Sequence, residues 1–461
     1  VLWRAILIIA VPFFPGFNVC SEEIETAEII VTASRNDPTE QPVRVVETEE
    51  IVAPLLVVDV LRGMPGLAVS RSGNRGALTQ VRLRGAEANH VLVLIDGVQA
   101  DDPATGSGFD FGTLTHAGVR AISIASGPQD GLRGTDALAG IIRVDTTPRI
   151  GQASVHVGLG TEQSVDAYAD FARVNPLGHL RLTASRSASA GTNASFIGNE
   201  NDPFDTRLIN INGRRTIGNV AFTATSRATR SEVDFDPSPF PNFVPVDGNR
   251  RSDNQNTLIG VSSQWMGSKS WSPIIQLSSS RSNTTQIADR IDIESSLGTR
   301  RALAVSNTFH IGSQQLSFRA AHQVESVSRR GPPTDFGDPN VDQTTRSSNI
   351  AAHYLYRWKK ILTSAVIRYD HNSAFKNAAT FAASASLETG RTNLFGRVAS
   401  GIKNPSFVER FGYTPDTFIG NPNLKPESSN EFQVGARHSL RLLELSVVYF
   451  EARLNNEIDG F

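Results

Sequence analysis

The sequence predicts a mainly β protein in two unlike parts, a transmembrane antiparallel β-barrel preceded by a small α/β unit. From about residue 150 onward, segments alternate apolar and polar residues with a period of two, and short turns and long polar loops separate them. Residues 40–148 instead contain a helix-like segment and the uninterrupted apolar stretch of residues 91–95. A chain of 461 residues is also too long for one ordinary core, so we expect at least two folding units.

The first twenty residues are typical of an export signal. Arg4 supplies a short positive region, and residues 5–14 form an apolar region that is too short to span a bilayer. Lipoprotein modification of Cys20 and a buried N-terminal helix are the two alternatives. No later segment has about 18 consecutive apolar residues, so the sequence predicts no transmembrane helix.

Composition excludes several classes of protein. The net charge is -2 and no run of basic residues occurs, which argues against a nucleic-acid-binding surface. Cys20 is the single cysteine, so the chain is neither a disulfide scaffold nor a Cys-based zinc or iron–sulfur protein. The histidines lack metalloprotease spacing, "GPQDGLRG" lacks the ending of a phosphate loop, and no nucleophile elbow appears, so we expect no enzyme.

The α/β unit has its own pattern. Residues 57–67 predict a short helix that ends at Gly63 or Gly66. Residues 91–95 are all apolar, which suits a strand covered on both faces, and we interpret this strand as the centre of a small sheet. Further strands are predicted within residues 81–85, 118–127 and 140–147.

The barrel prediction depends on alternation. Ala153, Val155, Val157 and Leu159 point to one face of their segment, and the same period recurs in residues 179–185, 219–225 and 442–450. Lipid cannot satisfy backbone N–H and C=O groups, so such strands must close on themselves in a membrane. A secreted β-helix or sandwich is the alternative, and the aromatic content of 7% is low for a barrel with two aromatic girdles.

Several linked motifs carry a family resemblance. "EIIVTASR", "DVLRGMPGLAV", "VRLRGAEANHVLVLIDGV" and "GPQDGLRGTDALAGIIRVDTT" resemble the plug domain of TonB-dependent outer-membrane transporters. "GRVASGIKNPSFVERFG" and "GNPNLKPESSNEFQVG" resemble the barrel of the same family, so the likeness covers the chain from about Glu28. "NHVLVLIDGV" and "FGYTPDTFIGNPNLKPE" look most like the cobalamin receptor branch, although siderophore receptors share much of this pattern.

The resemblance implies a 22-stranded barrel with a plugged lumen in the outer membrane of a Gram-negative bacterium. TonB, part of an inner-membrane complex powered by proton motive force, would pull on the plug after substrate binds outside. The expected organisation is a signal peptide (1–20), a periplasmic coupling segment (21–39), a plug (40–148) and a barrel (149–461). Cobalamin is the favoured substrate, a ferric siderophore or haem the second, and a passive porin a distant third.

The barrel segment is short for that size class. We count about fifteen or sixteen period-two segments after residue 150, roughly six fewer than 22. We expect a C-terminally truncated reading frame, and a naturally smaller barrel is the alternative. An open barrel edge is costly in lipid, so we expect that the chain alone does not insert stably. A heat-modifiable band on a gel would contradict this expectation.

The resemblance assigns an energy-coupling box near the N-terminus. An extended, mobile segment rich in β-branched residues can add a strand to a partner's sheet edge. An ordinary first plug strand is the alternative. The box comprises Glu28, Ile29, Ile30, Val31, Thr32 and Ala33.

Two plug loops, residues 70–77 and 98–108, are candidates for substrate contact because glycine and small polar residues let backbone amides approach a ligand closely. The arginines could recognise amides or phosphate, and the aspartates could bind a cation; solvated turn residues are the alternative. The candidates are Arg71, Ser72, Gly73, Asn74, Arg75, Gln99, Asp101 and Asp102.

Acidic outer loops could hold calcium, which prefers carboxylate and carbonyl oxygens. By resemblance, cobalamin receptors use calcium to order such loops, although loops kept polar for solubility are the alternative. The candidate ligands are Asp202, Asp205, Asp234, Asp236 and Asp247.

The resemblance also implies an ionic lock between plug and barrel. Arg84 matches the plug arginine, with Glu431 as the first candidate partner and Glu409 as the second. An exposed arginine without a fixed partner is the alternative. The family usually has a second arginine in an R-G-P motif, but this chain has "SGP" at residues 126–128, which puts the full lock in doubt.

Overall fold

The structure is a computed structural model. It describes residues 31–32, 43–47, 56–106, 108–129, 135–196, 198, 200–238, 242, 244–414, 417–440 and 444–458. Within these ranges, no helix is both long enough and apolar enough to cross a membrane.

The N-terminal unit is a six-stranded sheet with a short helix and a separate β3–β4 hairpin. The sheet order is β1-β2-β7-β8-β5-β6, and β5 pairs with β8 in parallel. The elements are β1 (Val31–Thr32), β2 (Val43–Glu47), α1 (Val57–Arg62), β3 (Leu67–Arg71), β4 (Thr79–Leu83), β5 (Val91–Ile95), β6 (Val98–Gln99), β7 (Ala121–Ser126) and β8 (Gly140–Asp145), with 3₁₀ turns at Ala88–His90 and Phe111–Thr113.

Strand β5 lies inside this unit, as its sequence predicts. All five of its residues are buried. Val91, Val93 and Ile95 pack into the main core with α1, whereas Leu92 and Leu94 pack on the other face of the sheet. A strand covered on both faces has no need of polar alternation. Helix α1 ends with its C-cap at Gly63, one of the two predicted positions.

Among the described residues, the C-terminal unit is a single antiparallel sheet of 15 strands, which agrees with the predicted fifteen or sixteen. Its strands follow chain order from β9 to β21 and then β24 and β25. They are β9 (Gln152–Leu159), β10 (Val165–Asn175), β11 (Gly178–Ser189), β12 (Phe204–Ile217), β13 (Val220–Phe235), β14 (Arg250–Trp265), β15 (Trp271–Ala288), β16 (Ile291–Ile311), β17 (Gln314–Arg330), β18 (Val341–Trp358), β19 (Ile361–Asn372), β20 (Ala378–Thr389), β21 (Thr392–Lys403), β24 (Glu427–Ser439) and β25 (Glu444–Asn455).

Burial along these strands is reversed relative to a water-soluble sheet. On β12, the side chains of Ile209 and Ile211 are exposed, whereas Asn210 and Asn212 are buried and donate hydrogen bonds to Thr146 of the plug. An apolar outer face and a polar inner face are typical of a barrel that lies in lipid. The apolar residues of the alternation predicted from sequence therefore face outward, and the polar residues face the lumen.

The sheet wraps around the N-terminal unit. Hydrogen bonds from the plug reach strands from β10 to β24, including Arg75 to Asp166, Thr225 to Asp96, Arg300 to Asp101 and Arg84 to Glu431. The predicted fold class, an antiparallel barrel with a small α/β plug in its lumen, is confirmed.

The two ends of the barrel differ. Two-residue turns such as residues 176–177, 218–219 and 312–313 join strands at one end. The other end has longer loops, the longest of which (404–426) contains helix α2 (Phe407–Phe411) and the small hairpin of β22 (Tyr413–Thr414) and β23 (Phe418–Ile419). Barrels of outer membranes place short turns in the periplasm and long loops outside, so the long-loop end is the extracellular end.

Candidate functional site

A cavity of about 370 Å³ lies between the plug and strands β13–β15 toward the extracellular end. Side-chain amides and hydroxyls dominate its polar lining, and Phe109 and Phe235 add aromatic surface. The plug contributes Ser72, Gly76, Ala77, Leu78, Ala100, Asp102, Thr105, Gly108, Phe109, Asp110 and Thr113. The barrel contributes Val233, Phe235, Ser252, Asn254, Asn256, Thr284 and Gln286.

The cavity carries little charge. None of the described residues that line it is a lysine or an arginine. Removal from solvent raises the pKa of Asp102 to about 7 and that of Asp110 to about 6. Asp110 Oδ1 also accepts hydrogen bonds from the backbone N–H groups of Thr79 and Gly112, at 2.9 and 2.8 Å. The site is therefore suited to a neutral ligand rich in amide or hydroxyl groups.

The two arginines predicted to contact substrate have acidic partners instead. Arg75 forms a bidentate pair with Asp166, at 3.0 and 2.9 Å, and its guanidinium lies over the ring of Phe204. Arg71 lies 3.9 Å from the carboxylate of Asp59. A bidentate arginine–carboxylate pair has fixed geometry, so Arg75 holds the plug loop against the barrel.

The remaining predicted contacts divide into two groups. Ser72 and Asp102 line the cavity. The side chain of Asn74 donates to the carbonyl of Thr192 in an outer loop. Of the eight predicted contacts, six lie outside the described lining of this cavity: Arg71, Gly73, Asn74, Arg75, Gln99 and Asp101.

Asp101 belongs to a neighbouring site. With Asp102, it lines a second cavity of about 100 Å³ between the plug and the wall of β16–β21. Arg300 on β16 donates to the Asp101 carboxylate at 2.8 Å and to its backbone carbonyl at 3.0 Å. The same guanidinium donates to Glu325 Oε1 at 2.6 Å. Asp101 therefore contacts the barrel wall, and sequence analysis did not identify Arg300.

Arg84 and Glu431 meet at the plug–barrel interface. Arg84 donates to Glu431 Oε1 at 2.9 Å and to Gln433 Oε1 at 3.1 Å, and its guanidinium lies 4.2 Å from the ring centroid of Phe450. The two charged side chains are 13% and 4% exposed. Arg84 therefore contacts the first of its two candidate partners.

Glu409, the second candidate, belongs to a separate buried network. Its carboxylate accepts from Asn89 at 3.1 Å and from Lys403 Nζ at 3.4 Å. Lys403 also donates to Glu427 at 3.1 Å, and His90 Nε2 lies 3.2 Å from the same carboxylate. Sequence analysis missed His90, Lys403 and Glu427. The available signal was a histidine that directly precedes an all-apolar strand, because a polar side chain in that position needs a buried partner.

The "SGP" segment lies beside the same barrel region. Gly127 adopts a left-handed backbone (φ 84°), and its Cα faces the carboxylate of Glu431 so closely that a Cβ would clash. Arg397 of β21 donates to the carbonyl of Pro128. A barrel guanidinium therefore reaches this segment, in which Ser126 stands where the family resemblance implies an arginine.

Only part of the predicted coupling box can be described. Glu28, Ile29, Ile30 and Ala33 lie outside the described residues. Val31 and Thr32 form β1, which pairs antiparallel with Val46 and Val45 at the edge of the plug sheet.

The acidic outer loops contain one compact cluster. Carboxylate oxygens of Glu200, Asp202 and Asp236 all lie within 4.8 Å of one another. Burial and nearby carboxylates raise the pKa of Asp202. Backbone N–H groups of Ala194 and Ser195 donate to Asp202 and Asp236, which orders the loop around the cluster. This oxygen-rich set fits a hard cation such as calcium, and sequence analysis did not select Glu200.

The other predicted calcium ligands are arranged differently. Asp205 accepts from Arg186 at 2.6 Å, and Asp234 accepts from Arg251 at 2.5 Å. Asp247 lies against Gly198, near the cluster but not among its three members. The structure therefore brings together two of the five predicted aspartates.

Comparisons with known proteins identify both units. Residues 35–141 match the TonB-dependent Receptor Plug Domain, and residues 152–460 match the family described as TonB dependent receptor-like, beta-barrel. The Vitamin B12 transporter BtuB of Vibrio vulnificus (strain YJ016) is 23% identical over 469 residues, which cover 95% of this chain and 72% of that protein. The protein of the same name from Photobacterium profundum is 23% identical, covering 96% and 72%.

Solved structures share the fold. The copper transporter OprC aligns with a TM-score of 0.71 at 15% identity, covering 93% of this chain and 73% of that one. The siderophore receptor PirA from Acinetobacter baumannii aligns with a TM-score of 0.72 at 12% identity, covering 90% and 70%. At these identities the likeness concerns the fold alone. With both of its units matched, this chain belongs to the TonB-dependent receptor family.

Proposed function

We propose that the substrate of this TonB-dependent outer-membrane transporter is cobalamin. The observation that supports the proposal most is the lining of the larger cavity, which combines amides, hydroxyls and two phenylalanines and has no lysine or arginine among its described residues. Cobalamin presents a flat apolar ring with a rim of neutral amide groups. Amide and hydroxyl side chains can pair with such a rim, and Phe109 and Phe235 can contact the ring.

A ferric siderophore requires different chemistry. Its iron-binding groups are usually anionic, and a buried anionic ligand favours arginine or lysine in the site. The two arginines of the plug loops already have acidic partners, Arg75 with Asp166 and Arg71 with Asp59. The curated relatives named as vitamin B12 transporters support the same choice of substrate.

Energy would enter through residues 28–33 and TonB. In this proposal the β-branched segment adds a strand to TonB, and the pull is transmitted to the plug through β2, with which Val31 and Thr32 pair. The Arg84–Glu431 pair would hold the plug in the lumen until the pull arrives. Calcium bound by Glu200, Asp202 and Asp236 would order the outer loops above the cavity.

Uptake of labelled cyanocobalamin by cells that lack their own cobalamin receptor tests the proposal. The wild-type protein should support uptake that a proton uncoupler abolishes. Deletion of residues 28–33 should abolish uptake and leave binding to the cell surface intact. Surface-localised protein that takes up a ferric siderophore and not cobalamin would contradict the substrate, and uptake that survives both the uncoupler and the deletion would indicate a passive pore.

A further inference from the structure

Strand β16 makes two contacts with the plug loop that borders the larger cavity. Gly298 and Arg300 are two residues apart, so both face the lumen. The Arg300 side chain is 6% exposed although it lies on the barrel wall. Arg300 donates to both the side chain and the backbone of Asp101.

Gly298 provides the second contact. A Cβ at this position would clash with Asp102 Oδ1 and would lie 3.0 Å from Pro103 Cδ. The plug loop therefore lies directly on the backbone of β16, at a distance that only glycine permits. The two contacts differ in kind. Arg300 donates hydrogen bonds to the loop, whereas Gly298 leaves the space that the loop occupies, so the two residues can be substituted and tested separately.

The loop held in this way forms part of the ligand cavity. Ala100, Asp102 and Thr105 all line it. Asp102 Oδ1 accepts from the backbone N–H of Ala104 at 2.8 Å, which fixes the turn that follows Asp101. The position of this turn relative to β13–β15 sets the width of the cavity.

We propose that Arg300 and Gly298 are positioning residues that hold residues 101–105 in the ligand-binding conformation. Glu325 orients the guanidinium through its bond to Arg300 Nε. Neither Arg300 nor Gly298 lines the larger cavity among its described residues, so both act on the ligand through the loop. This inference rests on the proposed function only for the choice of cyanocobalamin as the probe.

The barrel offers a matched control. Arg329 donates through Nε to Glu294 Oε1 at 2.7 Å, and this pair also joins β16 to β17. It reproduces the Arg300–Glu325 geometry, and its hydrogen bond goes to the barrel rather than the plug. Arg329→Gln therefore removes a comparable wall pair and leaves the Arg300 contacts with Asp101 in place.

Equilibrium binding of cyanocobalamin to the full-length protein in detergent is the first test. Arg300→Gln and Gly298→Ala should each weaken binding by about tenfold, whereas Arg329→Gln should change it by less than about twofold. Arg300→Lys should not retain full affinity, since the ammonium group of lysine cannot reproduce the three hydrogen bonds that the planar guanidinium donates. Asp101→Asn combined with Arg300→Gln should add little to the single effects, because the two groups act as a unit.

Hydrogen exchange without ligand separates this inference from the proposed substrate. The backbone amides of residues 101, 102, 104 and 105 should exchange faster in Arg300→Gln and Gly298→Ala than in Arg329→Gln, while β5 remains protected in all three. If the wild type binds no cyanocobalamin, the proposed substrate is wrong, and the exchange rates still test the loop. Equal exchange of residues 101–105 in all variants would overturn the inference.

Discussion

The plug meets the barrel through two contrasting surfaces. Toward β21 and β24, the plug segment 84–90 places Arg84, Asn89 and His90 against largely buried barrel glutamates. Toward β13–β15, the plug and the wall stand apart and leave a cavity whose polar lining consists mainly of amides and hydroxyls. The first surface pairs charged side chains, whereas the second pairs amides and hydroxyls, as in the bonds of Thr284 to Asn254 and of Gln286 to Ser252. We therefore expect the first face to anchor the plug and propose that the second binds the ligand.

The largest effect should come from Lys403 on the anchoring face. Lys403→Met would leave Glu409 and Glu427 buried without their shared cation. We expect a loss of about 3–5 kcal/mol in the stability of the buried network to which the plug residues Asn89 and His90 are bonded, because an uncompensated buried charge is strongly destabilising. Hydrogen exchange of β5 would measure this loss. Lys359→Met, in an exposed turn beside Trp358, is the control, and equal protection in both variants would refute the anchoring role.

On the binding face, Asn256→Leu should weaken cyanocobalamin binding by about tenfold and leave plug exchange unchanged. Asn256 lines the cavity, and its loss removes amide partners without removing a charge. Titration with the ligand would measure the change. Asn307→Leu, which removes only a bond from Trp271 near the opposite barrel end, should bind like the wild type. Unchanged affinity in Asn256→Leu would place the ligand elsewhere.

Calcium should have a smaller effect on the binding face. We expect a chelator to lower cyanocobalamin affinity about fivefold, a typical coupling between two sites. Asp236→Asn should remove this dependence, since Asp236 belongs to the compact cluster. Asp234→Asn should retain it, because Asp234 is paired with Arg251. Affinity that is indifferent to the chelator would eliminate the calcium site.

A fourth expected effect is a pH dependence of plug stability. The pKa of Asp102 is raised from 3.8 to about 7, so the folded protein holds a proton there that the unfolded chain releases. Stability should therefore fall as pH rises from about 4 to about 7. Asp102→Asn should flatten this fall in denaturant titrations at pH values across that window. If the free energy of unfolding of Asp102→Asn falls with pH as steeply as that of the wild type, the assignment of this pH dependence to Asp102 is wrong.

Sequence alone predicts the local parts of this molecule well. Period-two alternation predicts which residues face lipid, and the all-apolar residues of β5 predict burial on both faces, because each pattern reflects its immediate surroundings. The helix end at Gly63 follows from similarly local chemistry. The Arg84–Glu431 contact was expected from family resemblance and not from spacing.

Contacts between the plug and the barrel across the lumen cannot be predicted from local sequence patterns. Alternation shows that Arg300 and Lys403 face inward, but not that Arg300 meets Asp101 across 199 residues or that His90 meets Glu427 across 337. Those pairings depend on barrel curvature and on the placement of the plug. The same limit explains why the acidic cluster includes Glu200 and omits Asp205, since loop folding decides which carboxylates converge.

The most direct test is equilibrium binding of cyanocobalamin to the full-length protein in detergent, beside a heat-shift gel that reports folding. We expect that the folded wild type binds cyanocobalamin tightly, that calcium strengthens binding, and that Asn256→Leu weakens it while Lys359→Met does not. A folded protein that binds a ferric siderophore and does not bind cyanocobalamin would contradict the assignment of the cavity between the plug and β13–β15 to a neutral, amide-rich ligand.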